Sequence, residues 1–103
     1  MRKPNKLRDK HEFKAEVQTW AERIKVRPGQ IRIQKMRKKW ASCSSSGWIC
    51  FSEDLLKERS GFQRYVIVHE LLHLRIPNHG KLFKSLLSVY VPDWEKYQRK
   101  TRM

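Results

Sequence analysis

One segment of the chain combines a nearly continuous apolar surface with three polar side chains at fixed spacing. A helix that is apolar nearly all round is typical of the interior of a small domain. His69, Glu70 and His73 interrupt this surface, and polar groups are costly to bury unless they have partners. The segment therefore predicts a central helix that carries a site. Its apolar positions are Phe62, Tyr65, Val66, Ile67, Val68, Leu71, Leu72 and Leu74.

The three polar residues form the pattern HExxH at positions 69–73. On a helix, residues four apart are separated by about 40° around the axis and about 6 Å along it, so His69 and His73 can bind one ion. Zinc lowers the pKa of a bound water towards about 7, and a neighbouring carboxylate such as Glu70 can take its proton during attack on a carbonyl carbon. The pattern predicts zinc-dependent peptide hydrolysis. The alternative is a buried helix whose histidines only form hydrogen bonds.

A third ligand is expected after the motif, because catalytic zinc typically has three protein ligands and one open position. Pro77 cannot continue a helix and biases Ile76 away from helical angles, so the chain can turn after Arg75 and return His79 to the metal. The spacing matches the metzincin pattern HExxHxxGxxH, but isoleucine replaces its glycine, and we do not assign the chain to that group. Glu95, from a later helix, is the alternative ligand. We favour His79.

Three stretches together resemble a known family: KWASCSS at residues 39–45, YVIVHELLHL at 65–74 and PNH at 77–79. They are similar to the YgjP-like metallopeptidases, relatives of the SprT-like group, and the similarity extends over about residues 30–98. Phe83 fits the aromatic residue that the family has shortly after its NH pair. Ala41 departs from the family, which has glycine there.

The resemblance implies a zinc peptidase in which His69, His73 and His79 are metal ligands and Glu70 is the general base. It also implies a peptide or protein substrate, held as an added strand along a sheet edge beside the metal-binding helix. We expect residues 31–36, 40–43 or 48–51 to form that edge. The resemblance does not identify the substrate or the residue that stabilises the oxyanion. Candidates for the latter role are Tyr90, Tyr97, Arg75 and His11.

The rest of the pattern predicts a compact, minimal zincin-like domain of the α+β class. Apolar spacing of three to four predicts an N-terminal helix over residues 9–25, and alternation predicts a short antiparallel sheet of about three strands. A short helix after Ser52, the HExxH helix and C-terminal helices over 82–90 and 93–100 complete the chain. The 103 residues allow one domain, with residues 1–10 as a basic arm.

The positive charge is concentrated at the two ends of the chain. Residues 1–40 carry fourteen Lys or Arg against four Asp or Glu, residues 41–95 carry six of each, and residues 96–103 add four cations, for a net charge of +14. Such termini can attract nucleic acid, and the SprT-like relatives that cleave DNA-bound proteins suggest the same by analogy. The alternative function is therefore a non-catalytic, nucleic-acid-associated protein with a structural zinc site.

The remaining features predict a cytoplasmic location. No apolar run reaches the roughly 20 residues that span a bilayer, so we expect no membrane partner. The basic start is not followed by the apolar run of a secretory signal. Cys43 and Cys50, the two cysteines, are then expected to be reduced thiols rather than a disulfide.

Overall fold

The computed structural model describes residues 9–101, with side chains as far as Gln98. These residues form four α-helices, three strands and a short 3₁₀ helix, which confirms the predicted α+β class. The basic arm predicted for residues 1–10 lies, except for its last two residues, outside the described part. The element bounds are α1 Lys10–Ile24, β1 Gln30–Gln34, β2 Ala41–Cys43, β3 Trp48–Ser52, the 3₁₀ helix Glu53–Lys57, α2 Ser60–Leu72, α3 Lys81–Tyr90 and α4 Trp94–Thr101.

Local signals begin and end α1. The Asp9 carboxylate accepts a hydrogen bond from the backbone N–H of Glu12 at 2.8 Å, a typical N-cap. At the other end Lys25 takes the left-handed conformation, with φ 67°, and its N–H donates to the carbonyl of Ala21. The apolar stripe between these ends faces the core. Its buried residues are Phe13, Val17, Trp20, Ala21 and Ile24.

The sheet has the three predicted strands, but it is mixed rather than antiparallel. β2 and β3 form the expected antiparallel hairpin, whereas β1 pairs parallel to β3 on its other side, giving the order β1-β3-β2. Alternation of apolar residues fixes which face of a strand is buried, but it does not fix the neighbour or the direction. Residues 35–47 join β1 to β3 and supply the dozen or more residues that a parallel crossover needs. β2 forms within this connection and is left as an edge strand.

The hairpin register separates the two cysteines. Ser42 lies opposite Cys50, so Cys43 is one residue out of step with Cys50 and their side chains point to opposite faces of the sheet. Cys50 is buried, Cys43 is half-buried, and both are free thiols. Cys43 packs against the edge of the core on the face of the sheet that carries Ile49.

α2 is the centre of the molecule, in contact with α1, β2, α3 and α4. Ile67, Val68, Leu71 and Leu72 are completely buried, as predicted for a helix that is apolar nearly all round. Its start is fixed by Gln63, whose buried amide donates to the carbonyls at the end of the 3₁₀ helix. The acceptors are Leu55, Leu56 and Glu58, at 2.9–3.2 Å.

α4 packs against α2. The ring of Tyr97 contacts Phe62 and Tyr65, with centroid separations of 6.0 and 5.7 Å. A β-carbon at Gly61 would collide with the Tyr97 hydroxyl, so this glycine permits the close approach of the two helices. Within residues 9–101, no helix has the length and apolar composition required to cross a membrane.

Candidate metal centre

His69, His73 and His79 bring their ring nitrogens together at the C-terminal end of α2. One ligand atom from each lies within 4.8 Å of the other two. The Nε2 atoms of His73 and His79 are 2.9 Å apart. Two ligands of one tetrahedral zinc, each at about 2.0–2.1 Å, are separated by roughly 3.3 Å, so these nitrogens are already near the spacing that a shared ion requires.

Helix geometry and a tight turn position the three rings. His69 lies in the last full turn of α2, and His73 follows one turn later as the C-cap, still with helical angles of φ −64° and ψ −20°. The winding continues until the Ile76 N–H donates to the carbonyl of Leu72 at 2.8 Å. Pro77 ends it, and the chain turns back before α3 begins. His79 is thereby returned towards His73, as the sequence predicted.

Phe83, one turn into α3, forms the floor of the cluster. Its ring is buried and contacts all three imidazoles, with centroid separations of 5.3 Å to His69, 4.9 Å to His73 and 4.8 Å to His79. Tyr65 lies one turn before His69 on α2, and the centroids of these two rings are 5.7 Å apart. These aromatic contacts restrict the rotamers of the histidines.

Glu70 lies beside the histidines and lines the two cavities between β2 and the end of α2. Its Oε2 is 3.3 Å from Nδ1 of His69, and 14% of its side-chain surface is exposed. When His69 is protonated on Nδ1, this N–H donates a hydrogen bond to the carboxylate, and Nε2 of His69 is available to a metal. Glu70 is thus near the cluster but also accessible from solvent.

The surroundings favour neutral imidazoles. Burial, and then the proximity of His69, lowers the pKa of both His73 and His79 from the ordinary value of 6.5. The neutral ring is the form that binds a metal. Burial, and then the charge of Glu70, raises the pKa of the Cys43 thiol, which therefore keeps its proton at neutral pH.

Among the residues that the structure describes, the converging group of potential metal ligands consists of the three histidines. Glu95, the alternative third ligand, is exposed in the first turn of α4 and is not part of the group. Cys43 is not part of it either. The arrangement can hold one ion with three nitrogen ligands and an open position.

A cleft runs between β2 and the end of α2. It consists of two cavities, of about 230 and 630 Å³, that Lys39 and Glu70 both line. We call these two cavities the β2 cleft. Because β2 is an edge strand of the sheet, its outer backbone groups have no strand partner among residues 9–101. Of the three segments expected to form a substrate-binding edge, residues 40–43 are therefore the one beside the histidines.

Four predicted candidates for oxyanion stabilisation are not brought to the histidines. Arg75 donates from Nη1 to the carbonyl of Ile24 at 3.0 Å, and Tyr90 packs edge-on against Trp20. Tyr97 contacts Phe62 and Tyr65 instead, and His11 is exposed on α1. Sequence reasoning did not assign Tyr65 and Lys39 to the site. The available signals were the helical spacing of Tyr65 from His69 and the position of Lys39 next to the predicted edge strand.

Comparisons with known proteins identify the family and the fold of the chain. The sequence model of the YgjP-like metallopeptidase domain matches residues 1–103. The fold is similar to the crystal structure of the metallopeptidase zymogen of Pyrococcus abyssi abylysin, with a TM-score of 0.74 and 17% sequence identity over 85% of this chain and 90% of that chain. No protein with a curated description matches the chain by sequence. Because the family match extends over the whole sequence, the chain belongs to the YgjP-like metallopeptidase family.

Proposed function

We propose that the protein is a zinc-dependent endopeptidase, with His69, His73 and His79 as the metal ligands and Glu70 as the general base. The observation that carries this proposal is the convergence of three imidazoles next to a carboxylate that lines an open cleft. Membership of a metallopeptidase family supports the reaction class. The residue roles follow from the geometry and from the chemistry of the side chains.

The donor set fits zinc. Imidazole nitrogen is a preferred zinc ligand, and three such ligands with one open position are typical of catalytic rather than structural zinc sites. When bound, zinc supplies Lewis acidity that polarises a carbonyl oxygen and makes water more acidic. The aromatic floor formed by Phe83 keeps the three rings in one arrangement.

The chain itself supplies the base and the substrate-binding surface. Glu70 accepts the proton of the attacking water and donates it to the leaving amine as the peptide bond breaks. The outer edge of β2 binds the substrate backbone by strand addition, which is tolerant of sequence. This contact lays the scissile bond across the open side of the histidine cluster, between the two cavities of the β2 cleft.

A structural zinc site in a nucleic-acid-associated protein is the other candidate. It is disfavoured by the geometry, because structural zinc is almost always enclosed by four protein ligands. Here the group found within residues 9–101 has three, and it opens onto a cleft. The seven cations between Lys25 and Lys39, with no acidic residue among them, support nucleic-acid targeting of the peptidase as a separate, testable idea.

The decisive experiment is the substitution Glu70→Gln. It keeps the size and the hydrogen-bonding oxygen but removes the base, so we expect stoichiometric zinc and a fall in peptide hydrolysis of about 10²–10⁴-fold. Metal content by mass spectrometry and cleavage of an unfolded protein such as casein measure the two effects. The structural alternative predicts that Glu70→Gln leaves function intact and that zinc removal unfolds the protein. Unchanged hydrolysis in the variant would reject Glu70 as the base.

A further inference from the structure

We propose that Lys38 and Lys39 select an acidic residue of the substrate, at the first or second position on the C-terminal side of the scissile bond. The inference rests on the proposed peptidase function and adds a substrate preference to it. It concerns a cavity of about 490 Å³ lined by residues 36–40 together with Ser52 and Asp54. We call this cavity the basic basin.

The basic basin adjoins the β2 cleft, because the two share lining residues. Lys38, Lys39 and Trp40 line both the basin and the smaller cavity of the cleft, whose opposite wall contains His69 and Glu70. Lys39 also lines the larger cavity on the other side of Glu70. A peptide strand that lies along the edge of β2 therefore passes from the site directly onto the two lysines.

The two lysines have no acidic partner among residues 9–101. Both side chains are exposed, and neither forms an ion pair within the described part of the chain. Arg37 adds a third cation to the basin, whereas Asp54 is its one acidic lining residue and lies 3.8 Å from Nζ of Lys57. The basin thus has a net positive charge and attracts a carboxylate at short range.

Strand direction determines the side of the scissile bond. The basic basin lies at the N-terminal end of β2, and the larger cavity, lined by residues 42–45, lies at its C-terminal end. Antiparallel pairing is the more stable arrangement for an added strand. A substrate that pairs antiparallel to β2 places its C-terminal portion at the N-terminal end of β2. Its residues after the scissile bond then enter the basin.

An acidic peptide fits these observations better than a nucleic acid does. Both lysines line the smaller cavity of the β2 cleft, and Trp40 lines it as well. The Trp40 ring packs edge-on against Phe62, with a centroid separation of 5.2 Å. This cavity is a recess of side-chain size beside the reacting bond. Affinity for a phosphate backbone instead increases with the number of phosphates that cations neutralise along it.

The test is cleavage of a randomised peptide library by the zinc-loaded full-length protein, with the cut sites identified by mass spectrometry. We expect kcat/KM to be about tenfold higher for Asp or Glu than for Asn or Gln at the selected position, the effect of two partly exposed ion pairs. Lys38→Gln/Lys39→Gln should remove the preference, and Lys38→Glu/Lys39→Glu should replace it by a preference for Lys or Arg. Lys14→Gln/Arg27→Gln removes the same charge at two exposed positions that line neither the basin nor the cleft, and it should preserve the preference.

A preference that survives both lysine variants, or acidic residues selected on the N-terminal side of the cut, would overturn the proposal. Peptide binding to the zinc-loaded Glu70→Gln variant tests the acidic preference independently of catalysis. Fluorescence anisotropy with one peptide in Glu and Gln forms should show about tenfold tighter binding of the Glu form, lost in the added Lys38→Gln/Lys39→Gln variant. Absence of any cleavage by the wild type would reject the peptidase function, while equal binding of both peptides would reject the acidic preference. A short DNA duplex that displaces the Glu peptide and depends on the same lysines would assign the basin to nucleic acid instead.

Discussion

The first half of α2, residues 60–68, and its last turn at residues 69–73 belong to one helical stretch but have different surroundings. In the first half, Phe62 and Val66 are 3% exposed and Ile67 and Val68 are completely buried. In the last turn, the side chains of His69 and Glu70 retain 25% and 14% of their exposure, although Leu71 and Leu72 on the opposite face are buried. Stability and chemistry are therefore concentrated in different parts of the same element.

The difference explains how so small a domain positions a site. Apolar contacts hold the helix axis and its rotation, and the polar residues of the last turn take their places from helical spacing alone. Few additional hydrogen bonds are needed to orient them. The comparison implies that changes in the last turn alter metal binding without unfolding, and that changes in the packed half unfold the domain without altering the ligands.

The largest effect should come from removing a ligand. His79→Ala should weaken zinc binding by more than about a hundredfold, a loss larger than that from altering a group behind a ligand. Because His79 is exposed, the free energy of unfolding of the metal-free protein should change by less than about 1 kcal/mol. Zinc content after purification and competition with a chelator measure the first effect, and urea unfolding in chelator measures the second.

Glu95→Ala is the matched control for this prediction. It removes the other residue that the sequence offered as a third ligand, from an exposed position in α4. We expect normal zinc content and normal stability. Zinc loss in Glu95→Ala with retention in His79→Ala would reverse the assignment.

At Phe83, unlike at the positions in α2, we expect a substitution to lower both the stability of the domain and its affinity for zinc. Its ring is 1% exposed and contacts all three histidines, so it belongs to the core and to the floor of the site. Phe83→Ala should lower the free energy of unfolding by about 3–5 kcal/mol through loss of apolar burial and creation of a cavity. Phe83→Leu should recover most of this stability, yet hold zinc less tightly than the wild type because the flat contact surface is lost. Equal zinc affinity in the Leu variant would show that the ring serves packing alone.

The contrast between the two halves of α2 also explains what the sequence could predict. HExxH is a short-range pattern, and helical spacing converts it directly into the juxtaposition of His69, Glu70 and His73. The return of His79 was predictable because Pro77 is a strong local signal that ends the helix. The caps at Asp9 and at the 3₁₀ helix are equally local features.

The features that sequence reasoning missed depend on contacts between distant segments. The parallel pairing of Ile31 with Ile49 depends on the path of residues 35–47, which alternation within each strand does not encode. The same path brings Lys38 and Lys39 to the wall opposite Glu70. In the sequence these lysines were part of a basic run, and only the position of Lys39 next to a predicted edge strand indicated that it could line the cleft.

Gly61→Ala tests the packed half of α2, with a smaller expected effect. The added methyl group collides with the hydroxyl of Tyr97, whose ring packs against those of Phe62 and Tyr65. We expect a loss of about 1–3 kcal/mol in the free energy of unfolding and unchanged zinc stoichiometry. Adding Tyr97→Phe to Gly61→Ala removes the colliding oxygen and should recover part of the loss. A double-mutant cycle from urea unfolding measures this coupling, and strictly additive effects would contradict the predicted collision.

The smallest effect should be a pH dependence that originates in the last turn of α2. Burial, and then the proximity of His69, lowers the pKa of His73 and His79 in the folded protein below the 6.5 of the ordinary group. Between the two values the unfolded chain binds more protons than the folded chain does, so acid favours unfolding. The stability of the metal-free protein should therefore be constant with respect to these groups above pH 6.5 and should fall as the pH is lowered from 6.5 through the folded-state values.

Urea midpoints of the chelator-treated protein at pH 7.5 and 5.5 measure this loss. The variant His73→Gln/His79→Gln removes both titrating rings, so its midpoint should change less between the two pH values than that of the wild type. Saturating zinc should enlarge the wild-type difference, because the metal binds neutral imidazoles and is released as they are protonated. An equal pH dependence in the wild type and the double variant would mean that acid destabilises the packed half instead. The division of α2 into a part for stability and a part for chemistry would then not extend to its response to acid.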